Sequence, residues 1–368
     1  MGLSSIDRAR LVLGWGHRPR DLRDYGVIGG QRTPQEAEGL LSHLWLSDQV
    51  HPALNATSAR FLSDNKWVFY RLMAGFGVPI PETLGLYDPV HGVTWDGQRR
   101  LRTAEDVVAE IERVRPEGVV LKPAGGQQGK GLLILDTIDY ASGRATTRTG
   151  RETTLVAAVA EIDVTGMGKA PGYIIQVPVP SHPVYQRLAP WTTNTIRVIT
   201  LVDLAGEVHV QAAVTILGRK GNMANNWHAG GLNVGLDVDT GVMGRGIVLG
   251  ESDWASKHPD NGEPIEGTVV PDWDRVMDAC RTAALLLPGI RSVGWDVVAT
   301  PDGPVILEPN DAWDPVGVQV HGRGFIADER VREQFIAAGA PMPHGPRLSN
   351  AYGLVKRRVR AAKRRLLS

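Results

Sequence analysis

Gly294-Trp295-Asp296-Val297-Val298-Ala299-Thr300-Pro301-Asp302-Gly303-Pro304-Val305-Ile306-Leu307-Glu308-Pro309-Asn310 is the stretch on which the reading of this 368-residue chain turns. Two β-branched runs flank an Asp302-Gly303 turn, so the spacing predicts a hairpin. Counting back from that turn sets Asp296 near Glu308 across the ladder. Residues two apart on a strand share a face, so Glu308 and Asn310 project together. Three oxygen donors then converge on one spot. With waters and phosphate oxygens completing an octahedron, that is the donor set Mg²⁺ prefers. The apolar residues around them argue against an exposed hairpin with incidental acids.

Working outward, Asn194-Thr195-Ile196-Arg197-Val198-Ile199-Thr200 reads as a strand on which Arg197 needs an anionic partner, since an unpaired buried charge is costly. A phosphate or a structural carboxylate would serve. Gly218 to Gly235 reads as one long polar loop, the kind of segment that orders over a ligand. It holds Asn226 and His228, and His228 either orients substrate or phosphate or only caps the loop. Further back, Val119-Val120-Leu121-Lys122-Pro123 runs into a glycine-rich loop, Ala124 to Gly131. Such a loop can present backbone N–H groups to phosphate oxygens, with Lys122 as a point charge beside them. It is not a Walker A loop, because Lys130 is followed by Gly131 rather than by Ser or Thr.

Short strands are expected at Glu82–Tyr87, Gly118–Lys122, Leu132–Asp136, Tyr173–Val177, Thr195–Leu201, Val208–Ile216, Val293–Ala299 and Val305–Glu308. Helices are expected at Asp64–Phe76, Leu101–Arg115 and Trp273–Leu287. Thr33-Pro34-Gln35-Glu36 marks a further helix start, with Leu40, Leu41, Leu44 and Leu46 on its apolar side. Strand pairs interleaved with helices point to an α+β class. The expected organisation is a helical N-terminal region, 1–63, then two lobes, 64–180 and 181–345, and a basic tail, 346–368.

Composition is that of a globular protein, 42% hydrophobic and 22% charged, with one cysteine, Cys280, and hence no internal disulfide. Cys280 falls in a helical pattern and reads as a buried apolar residue. No apolar run approaches the ~20 residues of a membrane span, and the cytoplasm is the expected compartment. Seven of the 40 Lys and Arg lie in Val355–Ser368, which has no acid, so the preceding chain sets 33 bases against 40 acids. An acidic body argues against nucleic-acid binding. The tail is either a solvated helix or, with Val355, Val359, Ala362 and Leu366 at helical spacing, a contact for anionic lipid or a partner. The sequence leaves a homodimer open.

The order of these motifs resembles the ATP-grasp superfamily, and most closely its sugar-transfer-associated members. The residues that carry the resemblance are Asp64-Asn65-Lys66, Gly77-Val78-Pro79-Ile80-Pro81, Lys122-Pro123 with its loop, Asn194 to Arg197, Asn226 to Gly231, then Asp296, Glu308 and Asn310. The resemblance implies two α+β lobes clasping ATP. It implies that Lys66 and Lys122 hold phosphates, that Gly126, Gln127, Gly129, Lys130 and Gly131 belong to a flap over them, and that Arg197 meets the γ-phosphate. Adenine would lie against Gln176, Val177 and Val179, although most relatives have a glutamate where Gln176 stands. The implied activity is ATP-dependent joining of a carboxylate to an amine through an acylphosphate, with Mg²⁺ or Mn²⁺, in polysaccharide or natural-product biosynthesis. Arg197, Asn226 and His228 would be the catalytic groups. A kinase of a sugar or alcohol, or a nucleotide-binding scaffold of a glycan assembly complex, are the alternatives.

Overall fold

In a computed structural model, residues 3–126, 130–164, 170–221, 227 and 230–346 are described. Two antiparallel sheets organise them. The first has seven strands in the order β2-β1-β7-β3-β4-β5-β6, with β1 at Thr83–Tyr87, β2 at Val93–Thr94, β3 at Val119–Pro123, β4 at Leu133–Asp139, β5 at Arg144–Thr147, β6 at Glu152–Thr154 and β7 at Tyr173–Gln176. The second has six, in the order β11-β10-β9-β8-β12-β13. Its strands are β8 at Thr195–Val202, β9 at Val208–Leu217, β10 at Leu232–Leu236, β11 at Met243–Val248, β12 at Ser292–Thr300 and β13 at Gly303–Asn310. Mixed helices and sheets make the class α+β.

The Trp273–Leu285 helix covers one face of the six-stranded sheet, burying Val276, Met277, Cys280 and Ala283. Cys280 is fully buried, and burial pushes its thiol up. Short helical turns from Ser5 to Asp64 cover much of the opposite face, where Leu41, Trp45, Leu46 and Val50 pack on Ile199, Leu201, Val214 and Trp313. Thr33 caps the Pro34–Glu38 helix through a reciprocal pair with Glu36, as its sequence implies. That helix stops at Gly39, however. Leu40 and Leu41 lie beyond it, and Ser42 caps a new turn that carries Leu44. Two separately capped helical segments, rather than one amphipathic helix, present these leucines to the core, the second running on from His43 to Leu54 with Leu44 and Leu46.

Between the sheets runs the Lys66–Gly75 helix, capped by Asn65 Oδ1, which accepts from the Trp67 and Val68 amides at 3.0 and 3.2 Å. Phe69, Tyr70 and Met73 on this helix join one apolar cluster with Ile174 of β7 and Trp295 of β12. The core is thus continuous from one sheet to the other.

The expected Gly218–Gly235 loop is shorter than the sequence suggests, because Leu232–Leu236 pairs with both β9 and β11. Among the described residues no helix is long and apolar enough to cross a membrane. The basic tail from Arg347 onward lies outside the described residues.

Candidate active site

The site is assembled on the β12–β13 hairpin. Its two-residue turn is Pro301-Asp302, one position earlier than the sequence suggests, because Thr300 pairs with Gly303. Gly303 sits at φ +119°, a backbone conformation costly for any residue with a Cβ. Regular pairing continues to Val297 opposite Ile306, and then the register shifts so that Asp296 faces Glu308 and Gly294 faces Asn310. Leu307 is the extra residue, a β-bulge. Without it, Asp296 would face Leu307 and Glu308 would point to the opposite side of the sheet.

On the other side of β12, Asp296 pairs with Arg197 of β8. Arg197 Nε and one terminal nitrogen donate to the two Asp296 oxygens at 2.6 and 2.9 Å, a bidentate contact. Gly294 leaves room for this. A Cβ there would lie 3.1 Å from Arg197 Cδ and 3.0 Å from Trp313 Cβ. Asn310 Nδ2 donates to Gly294 O and to Asp296 Oδ2, both at 3.2 Å, which leaves its carbonyl oxygen as an available donor to a cation.

Lys66 closes the gap to the other sheet. Its Nζ donates to Gly126 O at 2.6 Å and lies 3.3 Å from Glu308 Oε2. Burial works against charge on Glu308, yet Lys66, Lys122 and Arg197 together hold its carboxyl below the usual range. Lys122 Nζ donates to Tyr70 Oη at 2.6 Å, and Tyr70 O–H donates to Leu307 O at 2.5 Å. Burial, and then the neighbouring Lys66 charge, lower Lys122 to about 7, while Glu308 opposes the shift.

The remaining expected residues fall in different places. Gln176 is buried, and its amide donates to Thr83 Oγ1 at 2.9 Å. Its side chain is thus turned into the protein. Val177 and Val179 are half-buried in the segment that leaves β7 toward the second sheet. Lys130 and Gly131 are exposed in the turn before β4. Gln127, Gly129, Asn226 and His228 lie outside the described residues.

Two groups escaped the sequence reading. Tyr70 follows Lys66 by four positions, which on a helix means the same face, and that spacing could have found it. The second group is Asp314, whose Oδ2 lies 3.3 Å from His43 Nδ1 and 3.6 Å from Arg18. Against the effect of burial, the His43 contact holds Asp314 down to about 2, and Asp314 in turn acts on the Arg197 charge. Nothing in the sequence pattern links these three distant positions.

The donor chemistry fits a hard divalent cation. Glu308 keeps an oxygen beyond the one facing Lys66, Asn310 offers its carbonyl, and Asp296 oxygens retain lone pairs outside the Arg197 contact. Among the described residues no three His, Cys, Asp or Glu side chains cluster as metal ligands. A site here therefore has two carboxylates and an amide, and would leave positions for water or phosphate oxygens.

A family model for sugar-transfer associated ATP-grasp proteins matches residues 46–332. The chain belongs to this family. The match includes the glycine loop, both lysines and the hairpin, and the ATP-grasp fold is accordingly that of the two sheets and the helix between them. No curated protein matches at the level of sequence. Among solved structures, the chain is similar to the ATP-grasp ligase PsnB complexed with a minimal precursor, with 17% identity over 77% of this chain and 64% of that one, at a TM-score of 0.40. It is also similar to biotin carboxylase from Campylobacter jejuni, with 12% identity, coverage of 79% and 49%, and a TM-score of 0.47. For D-alanyl-alanine synthetase A from Vibrio cholerae the identity is 10%, the coverage 88% and 74%, and the TM-score 0.45. The chain thus spans less than two thirds of PsnB and 45% of the purK synthetase it also matches.

Proposed function

We propose that this ATP-grasp protein is an ATP-dependent carboxylate-amine ligase. The observation that carries the reading is Lys66 Nζ, which touches both the glycine-loop carbonyl at Gly126 and the Glu308 carboxylate, so that the glycine loop and the hairpin that carries the carboxylates meet at one lysine. In the reaction, a substrate carboxylate oxygen attacks the γ-phosphorus of ATP and ADP leaves. An amine then attacks the acyl carbon of the acylphosphate, phosphate leaves, and the amine gives up a proton.

Charge, not a protein nucleophile, is what the site supplies. Lys66 and Lys122 would hold phosphate oxygens. Arg197, fixed by Asp296, would face the transferring group. Asp296, Glu308 and Asn310 would hold Mg²⁺ or Mn²⁺, which when bound offsets charge on the phosphates. Asn226 and His228 are proposed to orient substrate, and Val177 and Val179 to border adenine.

ADP and phosphate release that requires both a carboxylate and an amine is the expected result, screened with amino acids, sugar acids and amino sugars. A stable phosphorylated acceptor would make the protein a kinase instead. Glu308→Ala should abolish turnover, and full activity in that variant would refute the assignment.

A further inference from the structure

The helix at Lys66–Gly75 places Tyr70 where it touches both halves of the site. Its ring is fully buried beside Phe69, with centroids 5.5 Å apart. A backbone carbonyl can only accept a hydrogen bond, so the phenol hydrogen goes to Leu307 O and the Lys122 nitrogen, charged or neutral, donates to the phenol oxygen. Leu307 is the bulged residue, unpaired in the β12–β13 ladder. On the same open edge, Ile306 N donates to Pro79 O at 2.9 Å. The bulge that keeps Glu308 on the face of Asp296 is therefore held from outside the sheet, and the hand that holds it also holds Lys122.

We propose that Tyr70 is a positioning residue that couples nucleotide binding to divalent-cation binding, by joining Lys122 to the bulge that aligns Glu308 and Asn310 with Asp296. This rests on the reading that Lys122 meets phosphate and the hairpin meets a cation. A phosphate that draws Lys122 changes the load on the phenol, and the phenol sets Leu307, next in sequence to Glu308. The competing explanation is that Tyr70 only satisfies an edge carbonyl. In that case its loss would lower stability and leave the two ligands' mutual effect unchanged.

The experiment measures the dissociation constant of ATPγS by calorimetry with and without saturating Mn²⁺. It is run on the wild type, on Y70F, on K122M and on the double variant, with a thermal melt of each. Phe keeps the buried ring and removes only the hydroxyl. The ratio of the two constants is the coupling. Y70F should reduce that ratio by about tenfold, the scale of one hydrogen bond to a charged group. Adding Y70F to K122M should reduce it no further. An undiminished ratio in Y70F, whatever its melting temperature, would overturn the proposal, as would fully additive losses in the double variant. A wild type in which Mn²⁺ leaves ATPγS affinity unchanged would sink the reading of the site itself, and the proposal with it.

Discussion

Lys122 is a site residue whose chemistry the fold alters strongly. Its amine titrates at about 7 rather than near 10.5, because burial and Lys66 disfavour the ammonium. A bound phosphate favours it. ATP binding above pH 7 should then take up a proton, and affinity should fall as the pH rises from 7 to 9, by up to about tenfold per unit in the limit. The sign reverses for the free protein: the unfolded chain binds more protons between pH 7 and 10.5, so this lysine's contribution to stability grows with pH over that window. Calorimetry of ATPγS binding in buffers of different ionisation enthalpy would count the protons. A dissociation constant flat from pH 6 to 9 would contradict the assignment.

At the scale of elements, the helix after Asn65 is the part that brings sheet and hairpin together. Asn65→Ala removes the acceptor for two helix amides and should cost about 1 kcal/mol in a denaturant melt. Because Lys66 is the first residue of that helix, the same change should weaken ATPγS binding, and unaltered stability and affinity would refute this role for the cap. The helix itself was legible in the sequence, as were the hairpin, the helix start at Thr33 and eight of the thirteen strands, because each is written in local residue types and in period-2 or helical spacing. The bulge was not. An extra residue in one strand leaves the alternation of β13 looking regular, and what stabilises it is a tyrosine 237 positions away. Strands β10 and β11 were hidden for a different reason: Leu-Asn-Val-Gly-Leu and Met-Gly-Arg-Gly-Ile-Val carry glycines inside the strand and follow a polar, glycine-rich run. In the N-terminal region the helical segments are short or pass between α and π turns, as at Ser5–Gly14 and His43–Leu54, so no single period runs long enough to read. His17 and His51 are buried there, and burial lowers them to about 4 and about 3. A histidine kept neutral stabilises fully above its unfolded value of about 6.5, and that stability is lost as the pH falls toward the folded value. Melting temperature should drop between pH 6.5 and 4, the two residues costing on the order of 3 kcal/mol each by pH 4. Replacing both by Gln should lessen that drop, the remainder including His321, which burial lowers to about 3 as well, and an unchanged acid profile would count against them.

For the whole molecule, the decisive feature is a core that does not stop at the boundary between the sheets. Phe69, Tyr70 and Met73 pack with Leu86 and Ile174 of the seven-stranded sheet and with Val198, Trp295 and Ile306 of the six-stranded one. A shared core of this kind makes separate unfolding of the lobes costly, since either would expose the helix between them. One cooperative thermal transition is therefore expected. Ligands that bind only the folded state raise it by mass action: at a hundredfold excess over the dissociation constant the gain is about 2.7 kcal/mol. By the entropy of unfolding expected for a chain this long, that corresponds to a shift of about 3 °C. ATPγS alone should give part of the shift through the lysines, and Mg²⁺ should add the rest through the hairpin. Glu308→Ala should keep the nucleotide part and lose the metal part, because it removes a cation donor and leaves Lys66 its bond to Gly126. Two separate transitions, or a metal-dependent shift that survives in Glu308→Ala, would mean that the lobes and the two ligands are not joined through this hairpin and helix.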